Sequence, residues 1–284
     1  DATGMVKTDG TLWMWGNNQT YNGGKLGQNN TTNYSSPKQV GTGTDWRSVS
    51  MGNRSSMALK TDGSLWVWGS NAHGTLGLNQ TATPIGDDGN TVKRSSPAQL
   101  PGTWDNLQQF GYVSRYGIKT DGTLWGWGNG NEGRLGLNNT TTISSPAQVG
   151  TDTTWSKLSL GNPRNRQAAI KTDGTMWIWG GNDDGALGQN QAYPGLNAAS
   201  SPIQIGTSTD WDVISMSYRS SYARKTDGSL WVWGEGDNGR LGQNESSAPP
   251  AASSTTNYSS PTQLPGTWGN ISSGLQAFIG QKAL

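Results

Sequence analysis

One ten-residue stretch recurs five times along the chain and constrains its fold more than any other feature. In its second copy, Lys60 to Gly69, it reads Lys-Thr-Asp-Gly-Ser-Leu-Trp-Val-Trp-Gly. The copies begin at Lys7, Lys60, Lys119, Lys171 and Lys225, so their separations are 53, 59, 52 and 54 residues. Self-similarity at such a period is typical of arrays in which each repeat is one supersecondary unit. We therefore predict the fold from the repeat.

The Asp-Gly pair within the stretch predicts a tight β-hairpin. Asp-Gly between two apolar alternating runs favours a type I′ turn, in which both central residues adopt positive φ. After the turn, Leu65 and Val67 point to one face of a strand and Trp66 and Trp68 to the other. Because both faces are apolar, we expect neighbouring repeats to cover the sheet on both sides. We assign a structural turn role to Asp9, Gly10, Asp62, Gly63, Asp121, Gly122, Asp173, Gly174, Asp227 and Gly228.

Tryptophan supplies much of the apolar area that the repeats need. Hydrophobic residues make up only 31% of the chain, and 42 of its residues are glycine, so a large aliphatic core is not available. The 15 tryptophans divide into five doublets within the repeated stretch and five single residues, Trp46, Trp104, Trp155, Trp211 and Trp268. A buried aromatic side chain covers far more surface than an aliphatic one. We therefore expect most of these tryptophans to be structural.

Each repeat contains four strand-like segments. In the second repeat these are 46–52, 56–60, 65–68 and 95–100, the last of which carries Ser-Ser-Pro. Proline suits a strand entrance or an edge strand, because it cannot donate to a central ladder. No segment shows a helical period.

The repeated motifs resemble those of a known family. The pattern Lys-Thr-Asp-Gly-x-Leu-Trp-x-Trp-Gly-x-Asn, followed by Gly-x-Leu-Gly and Ser-Ser-Pro-x-Gln-Val, resembles the regulator-of-chromosome-condensation repeat, in its bacterial and bacteriophage versions, over nearly the whole chain. The resemblance implies that the repeats form four-stranded blades of a β-propeller. The protein that gives the family its name is a guanine-nucleotide exchange factor and chromatin binder. No exchange residue carries over to this sequence, and one scaffold serves unrelated tasks.

We predict an all-β chain that forms a single β-propeller domain over 1–284, with about five tandem four-stranded blades. The repeats span approximately 1–45, 46–103, 104–154, 155–210 and 211–267, with a closing segment at 268–284. Residues 2–7 match the second strand of a repeat and 268–273 match a first strand, so we expect the N- and C-terminal strands to pair and close a small ring. The best-known family members have seven blades, and the alternative is that further blades lie outside this chain.

The residues do not favour catalysis or metal binding. The chain has no Cys, and its single His73 occupies a turn position that Glu132, Asp184 and Asn238 fill in other repeats. Zinc therefore lacks a ligand set, and a catalytic triad is conceivable only around His73. The Asn- and Asp-rich turns after each Trp-Gly favour tight-turn chemistry over Ca²⁺ binding. We predict no enzymatic activity, no cofactor and no metal.

Charge and hydropathy indicate which partners to expect. The formal net charge is +1 and no basic stripe stands out, so we predict that the protein does not bind nucleic acid. No apolar run approaches the length of a membrane-spanning helix, so we predict no membrane insertion.

Loops that vary between repeats are the candidate binding sites. The connection before Ser-Ser-Pro is longest at 80–94, 191–199 and 245–258. Insertions on one face of a repeat array are commonly its binding surface. From these loops we select Asp87, Asp88, Asn90, Lys93, Arg94, Tyr193 and Tyr258 as candidate binding residues.

These observations lead to three functional hypotheses. The first is a non-enzymatic binding or structural module, displayed on an extracellular or virion surface, that attaches to a protein or glycan partner within a virion or cell envelope, as a bacteriophage protein or adhesin does. The second is a lectin that reads sugars in inter-blade pockets through exposed tryptophan. The third is an intracellular scaffold or GTPase exchange factor.

Overall fold

The structure is a computed structural model that describes residues 2–19, 23–80, 93–110, 113–161, 165–191, 197–243, 257–273 and 278–282. Within these ranges the chain forms β-strands joined by turns and loops. Helical geometry is limited there to single 3₁₀ turns, at Ala72–Gly74, Asn131–Gly133, Asp183–Gly185 and Asp237–Gly239. None of the described helical segments has the length and apolar character needed to span a membrane.

The chain divides into two units. The N-terminal unit comprises Asp1–Gly130 and Thr141–Thr153, and the C-terminal unit comprises Asn131–Thr140 and Thr154–Leu284. The N-terminal unit contains β1 (Ala2–Val6), β2 (Leu12–Gly16), β3 (Tyr34–Gln39), β4 (Trp46–Met51), β5 (Ser55–Lys60), β6 (Leu65–Ser70), β7 (Lys93–Leu100), β8 (Trp104–Phe110), β9 (Ser114–Lys119), β10 (Leu124–Gly128) and β11 (Ile143–Gln148). The C-terminal unit contains β12 (Trp155–Leu158), β13 (Leu160–Gly161), β14 (Arg166–Lys171), β15 (Met176–Gly181), β16 (Ala198–Gln204), β17 (Trp211–Met216), β18 (Ser220–Lys225), β19 (Leu230–Gly234), β20 (Tyr258–Leu264), β21 (Trp268–Ser273) and β22 (Phe278–Lys282).

The strands of each repeat pair in one antiparallel sheet, except that β13 of the fourth repeat joins the sheet of the fifth. In the N-terminal unit the sheets run β1-β2-β3, β4-β5-β6-β7 and β8-β9-β10-β11. In the C-terminal unit they run β12-β14-β15-β16, β13-β17-β18-β19-β20 and β21-β22. The fifth sheet gains β13 as an extra parallel strand, with Leu160 opposite Ser215. The sheets confirm the predicted all-β class and four-stranded blades, and the Ser-Ser-Pro strand lies at a sheet edge, as in β7.

The predicted pairing of the N- and C-terminal strands is not found among the strand pairings of the described residues. There, β1 pairs with β2 and β21 pairs with β22. Ring closure and the assignment of 1–284 to a single domain therefore stay predictions.

The structure confirms the hairpins predicted at the Asp-Gly pairs, but the prediction of a type I′ turn is wrong. In the first repeat Gly10 N donates to Lys7 O at 2.9 Å, and Lys7 N donates to Thr11 O at 2.9 Å. Only the glycine of the pair has positive φ, 77° at Gly10, and Asp9 does not. This geometry is a type I turn over Thr8 and Asp9, followed by a left-handed glycine that forms a G1 bulge. The other four copies share it, with φ between 77° and 82° at Gly63, Gly122, Gly174 and Gly228.

Consecutive repeats are joined by recurring hydrogen bonds. Between the first and second repeats, Trp46 N donates to Gly10 O, Trp68 Nε1 to Lys25 O, and Asn29 N to Ser95 O, at 3.0, 2.8 and 2.8 Å. The Trp68-type bond recurs from Trp127 to Thr75 O, from Trp179 to Arg134 O and from Trp233 to Ala186 O. All four of these indoles are 0% exposed. The repeated motifs thus supply both the blade and its connection to a neighbouring blade.

Candidate functional site

The Asp-Gly turns form a structural network. In the first repeat Asp9 Oδ1 accepts from Thr11 N at 3.0 Å and from Thr11 Oγ1 at 2.6 Å. Thr11 Oγ1 in turn accepts from Trp13 Nε1 at 2.7 Å. The hydroxyl of Thr11, followed by its backbone N–H, lowers the pKa of Asp9. A carboxylate kept ionised by local donors orders the turn and is poorly suited to proton transfer.

The lysine of each turn lies over tryptophan rings. Lys7 Nζ is 3.9 Å from the Trp13 ring centroid, and Lys119 Nζ is 3.6 Å from that of Trp125. Lys60 lies 5.1 Å from both Trp46 and Trp66 and 3.2 Å from Asp45 Oδ2. Such contacts stabilise the ammonium group against the ring face. The turn lysines thus make contacts with side chains of their own repeats.

A cavity of about 520 Å³ opens beside this network in the N-terminal unit. Trp46 and Trp66 form its aromatic wall, and Gln28 and Asn29 contribute amides. The charge of Lys60, which also lines the cavity, is balanced by Asp45. An aromatic wall with a few polar groups and no net charge suits a neutral polar ligand.

The connector before each single tryptophan has two forms. Where it reads Leu-Pro-Gly-Thr, Trp104 Nε1 donates to Pro101 O at 3.2 Å, and Trp268 Nε1 donates to Pro265 O at 3.2 Å. Where it is longer, the buried Nε1 atoms of Trp46, Trp155 and Trp211 have no acceptor among the described residues. The shorter connector therefore satisfies an indole N–H for which the described residues around the longer connector offer no acceptor.

Of the candidate binding residues, the structure describes Lys93, Arg94 and Tyr258. Arg94 lies opposite Gly69, and Tyr258 lies opposite Gly234, so the two hold equivalent places where a fourth strand begins. Arg94 is exposed, whereas Lys93 and Tyr258 are half-buried. They belong to different units. The binding role of all three stays a prediction.

The remaining candidates, Asp87, Asp88, Asn90 and Tyr193, lie outside the described residues. The long loops at 80–94, 191–199 and 245–258 are likewise described only at their margins. Their predicted binding roles are therefore not tested.

The turns after Trp-Gly adopt the tight geometry that their composition predicts. His73, Glu132 and Asp184 occupy one equivalent position with φ of 55°, 58° and 57°. This left-handed conformation is uncommon outside glycine, asparagine and aspartate. Within the described parts of the chain, no cluster of three or more His, Cys, Asp or Glu side chains is placed to hold a metal ion.

Two buried arginines were missed by sequence reasoning. Arg115 donates to Ser114 O at 2.7 Å and to Ser55 Oγ at 2.5 Å, and burial lowers its pKa to about 9. Arg166 donates to Ser217 O, Tyr218 O and Ser220 O, and burial lowers its pKa to about 10. The available signal was an arginine standing where other repeats have serine. At neutral pH both remain charged.

Known proteins that resemble the chain in sequence include a ubiquitin ligase and a plant mitochondrial protein. The E3 ubiquitin-protein ligase HERC2 of Mus musculus is 29% identical over 192 residues, which covers 66% of this chain and 4% of HERC2. The mitochondrial RCC1 domain-containing protein RUG3 of Arabidopsis thaliana is 27% identical over 235 residues, covering 78% of this chain and 50% of RUG3. The chain thus spans at most half the length of these relatives.

Solved structures share the fold over the whole chain. Human WBSCR16 has a TM-score of 0.76 at 20% identity, with coverage of 100% of this chain and 70% of WBSCR16. Prp20p from Saccharomyces cerevisiae, whose structure was reported with its binding properties to Gsp1p and histones, has a TM-score of 0.77 at 15% identity. The alignment covers 100% of this chain and 67% of Prp20p. At such identities the likeness concerns the fold alone.

Family models for the regulator of chromosome condensation (RCC1) repeat match residues 9–59, 46–75, 121–162 and 227–280. These segments together cover just over half of the chain, and they include the Asp-Gly turns at Asp9, Asp62, Asp121 and Asp227. The bacterial or bacteriophage origin expected from the motifs is not established by these matches. With its blades, its turns and these matches in agreement, the chain belongs to the regulator of chromosome condensation repeat family of β-propellers.

Proposed function

We propose that the chain is a non-enzymatic protein-binding module, a scaffold that holds variable loops on rigid blades. The observation that carries this proposal is the division of labour within each repeat. The residues of the repeated motifs form the turns, the tryptophan stacking and the inter-repeat hydrogen bonds. The variable loops, in contrast, precede the fourth strands of the sheets. A rigid scaffold that presents several loops binds with little ordering cost and gains from multivalency.

Family membership supports a protein partner. Prp20p, a structural neighbour, was described with binding properties to Gsp1p and histones. The relatives and structural neighbours named above, from mouse, human, Arabidopsis and yeast, lend no support to the virion, bacteriophage or adhesin role expected from the sequence. The extracellular or virion location stays a prediction, and fractionation of the source cells with an antibody tests it.

Quantitative affinity capture from the source cells tests the scaffold proposal. The chain is compared with a variant in which 81–92 is replaced by a short Gly/Ser linker and with one in which 246–256 is replaced likewise. We expect at least one captured protein to depend on one loop and to tolerate replacement of the other. Equal capture by all three chains, or by none, would contradict the proposal.

Sugar binding is a second candidate, favoured by the aromatic wall of Trp46 and Trp66 beside Gln28 and Asn29. Trp66 is half-buried and lines the cavity, so a bound sugar would change its environment. Titration with a panel of neutral glycans, monitored by tryptophan fluorescence, tests this role. A signal that a Trp66→Phe variant loses would support it, and no saturable change with any glycan would contradict it.

A further inference from the structure

Among its described residues, the N-terminal unit has its acidic groups at one end and a cluster of cations at the other. Its six described acidic residues all lie at the end that carries the Asp-Gly turns, called here the turn end. Three of them are in the turns and three are in or beside the connectors to the single tryptophans: Asp9, Asp62, Asp121, Asp45, Asp105 and Asp152. At this end Lys60 pairs with Asp45, and Arg47 pairs with Asp105 at 3.2 Å.

The opposite end of the same unit carries five cations, Lys25, Arg54, Lys93, Arg94 and Arg115, called here the basic end. Strand register places three of them in a row across the second sheet. Arg54 immediately precedes β5 and its carbonyl accepts from Ser70 N at 2.9 Å, while Ser70 lies opposite Lys93 and Gly69 lies opposite Arg94. β5, β6 and β7 run between the two ends. Six residues of strand separate the ends by about 20 Å.

Two of the five cations are buried beneath this row. Lys25, 5% exposed, donates from Nζ to Asn53 O at 2.8 Å, and Arg115, 0% exposed, donates to Ser55 Oγ. Both therefore converge on the turn at 53–55 that carries Arg54. Burial lowers the pKa of both groups because the charged form loses hydration. Charges under a low-dielectric surface strengthen the potential that an approaching anion meets.

We propose that the basic end is a docking surface for an acidic segment of a partner protein. This inference rests on the proposed function and names the chemistry of the partner. Arg94 is exposed and Arg54 and Lys93 are half-buried, so these three contact the partner, while Lys25 and Arg115 add to the field. Strand spacing sets the row at about 10 Å, the reach of a few acidic residues in an extended peptide.

A protein segment fits this surface better than nucleic acid. A protein that contacts about 6–10 phosphates of duplex DNA needs a cation or other donor for each of them along the DNA backbone. Among the described residues, the basic end offers three cations that reach solvent, and the same unit carries six acidic groups at its other end. A short acidic peptide can bind the basic end without approaching the acidic groups of the turn end.

Fluorescence anisotropy with a labelled ten-residue Glu/Gly peptide tests the proposal on the full chain at low salt. We expect saturable binding that weakens about tenfold in Arg94→Glu, since reversal of an interface charge turns attraction into repulsion. Lys38→Glu is the matched control: Lys38 is also exposed, on β3, and the change in net charge is the same. It should leave binding within about twofold, and added salt should weaken binding of the parent chain.

Four results would overturn the proposal: no binding of the peptide, equal weakening by Lys38→Glu and Arg94→Glu, equal binding of a Lys/Gly peptide, or tighter Arg94-dependent binding of a ten-nucleotide single strand. Far-ultraviolet circular dichroism and thermal melting of each variant show whether it is folded. Lys93→Gln provides a second, milder variant at the same end and should weaken binding in the same direction. If the Glu/Gly peptide fails while loop-dependent protein capture persists, the docking surface is wrong and the scaffold function stands.

Discussion

The indole N–H of Trp68 donates to the carbonyl oxygen of Lys25 at 2.8 Å, so a buried tryptophan of the second repeat binds a loop of the first. The same carbonyl accepts from Ser56 Oγ at 2.8 Å. Gly27, two residues further along, packs against the Trp68 ring, where a Cβ would approach Nε1 to 3.0 Å. This contact explains why Trp-x-Trp-Gly and Gly-x-Leu-Gly recur together: each motif completes the other across two repeats.

Trp127→Phe is expected to destabilise the chain by about 2–4 kcal/mol. The change removes the donor to Thr75 O and leaves both a small cavity and an unpaired buried carbonyl. Trp125→Phe, at a half-buried indole bonded to the hydroxyl of Thr123, should cost less. Urea unfolding of both variants measures the difference. If the two variants lose the same free energy of unfolding, the hydrogen bond between Trp127 and Thr75 O contributes nothing beyond the packing of the ring.

Gly10→Ala is expected to destabilise the chain by more than the cost of backbone strain alone. At φ +77° an added Cβ would lie 2.0 Å from Thr44 O, so the turn or its neighbour must move. Gly41→Ala is the matched control, because φ is +61° there and nothing lies within 4 Å of the added carbon. The control should lose about 1 kcal/mol from the left-handed conformation. A Gly10 cost no greater than that of Gly41, in the same urea experiment, would refute the close approach.

Stability is expected to fall as the pH drops below about 4, near the ordinary aspartate pKa. Hydrogen bonds from the following Thr or Ser lower the folded-state pKa of Asp9, Asp62, Asp121, Asp173 and Asp227. A depressed folded pKa gives stability that is present above the unfolded pKa and is lost as the pH falls through the folded pKa. In Asp121→Asn, the loss of stability relative to the parent should shrink as the pH is lowered through this range. A constant difference from pH 7 to pH 2.5, measured by urea unfolding, would exclude the carboxylate as its source.

Trp104→Phe is expected to cost more stability than Trp46→Phe, by about 1 kcal/mol. Trp104 Nε1 donates to Pro101 O, which loses its partner in the variant. Trp46 Nε1 has no acceptor among the described residues, so its removal leaves no protein acceptor unpaired. Both rings are buried and both stack near the doublet of their repeat, at 6.4 Å for Trp104–Trp125 and 6.2 Å for Trp46–Trp66. Thermal melting of the two variants tests the role of the connector. A lower melting temperature for Trp46→Phe than for Trp104→Phe would contradict it.

Repeat spacing and strand pattern were sufficient to predict the blades. The second repeat was expected to have strands at 46–52, 56–60, 65–68 and 95–100, and β4 to β7 lie at these positions. The turn class was wrong because Asp-Gly suits both the type I′ turn and the type I turn with a G1 bulge. Here the Asp9 carboxylate accepts the N–H of Thr11, which accompanies the second arrangement and does not follow from the dipeptide alone.

The cluster of cations at the basic end was not predicted from the sequence, for a different reason. Lys25, Arg54, Lys93 and Arg115 are far apart in sequence, and no stretch of the chain reads as a basic stripe. Strand register places Arg54 in line with Lys93. Hydrogen bonds from Lys25 to Asn53 O and from Arg115 to Ser55 Oγ bring the other two to the same end of the N-terminal unit. The extra strand β13 was also missed, because a two-residue parallel pairing leaves no periodic signal.

Amide hydrogen exchange of the full chain, with and without the Glu/Gly peptide, tests the central claim most directly. The claim is that the Asp-Gly turns are structural and that the opposite end of the N-terminal unit binds. We expect the peptide to slow exchange at 53–55 and 93–95 and to leave 61–64 and 120–123 unchanged. Slower exchange confined to the Asp-Gly turns would contradict the account and place the binding surface at the turn end.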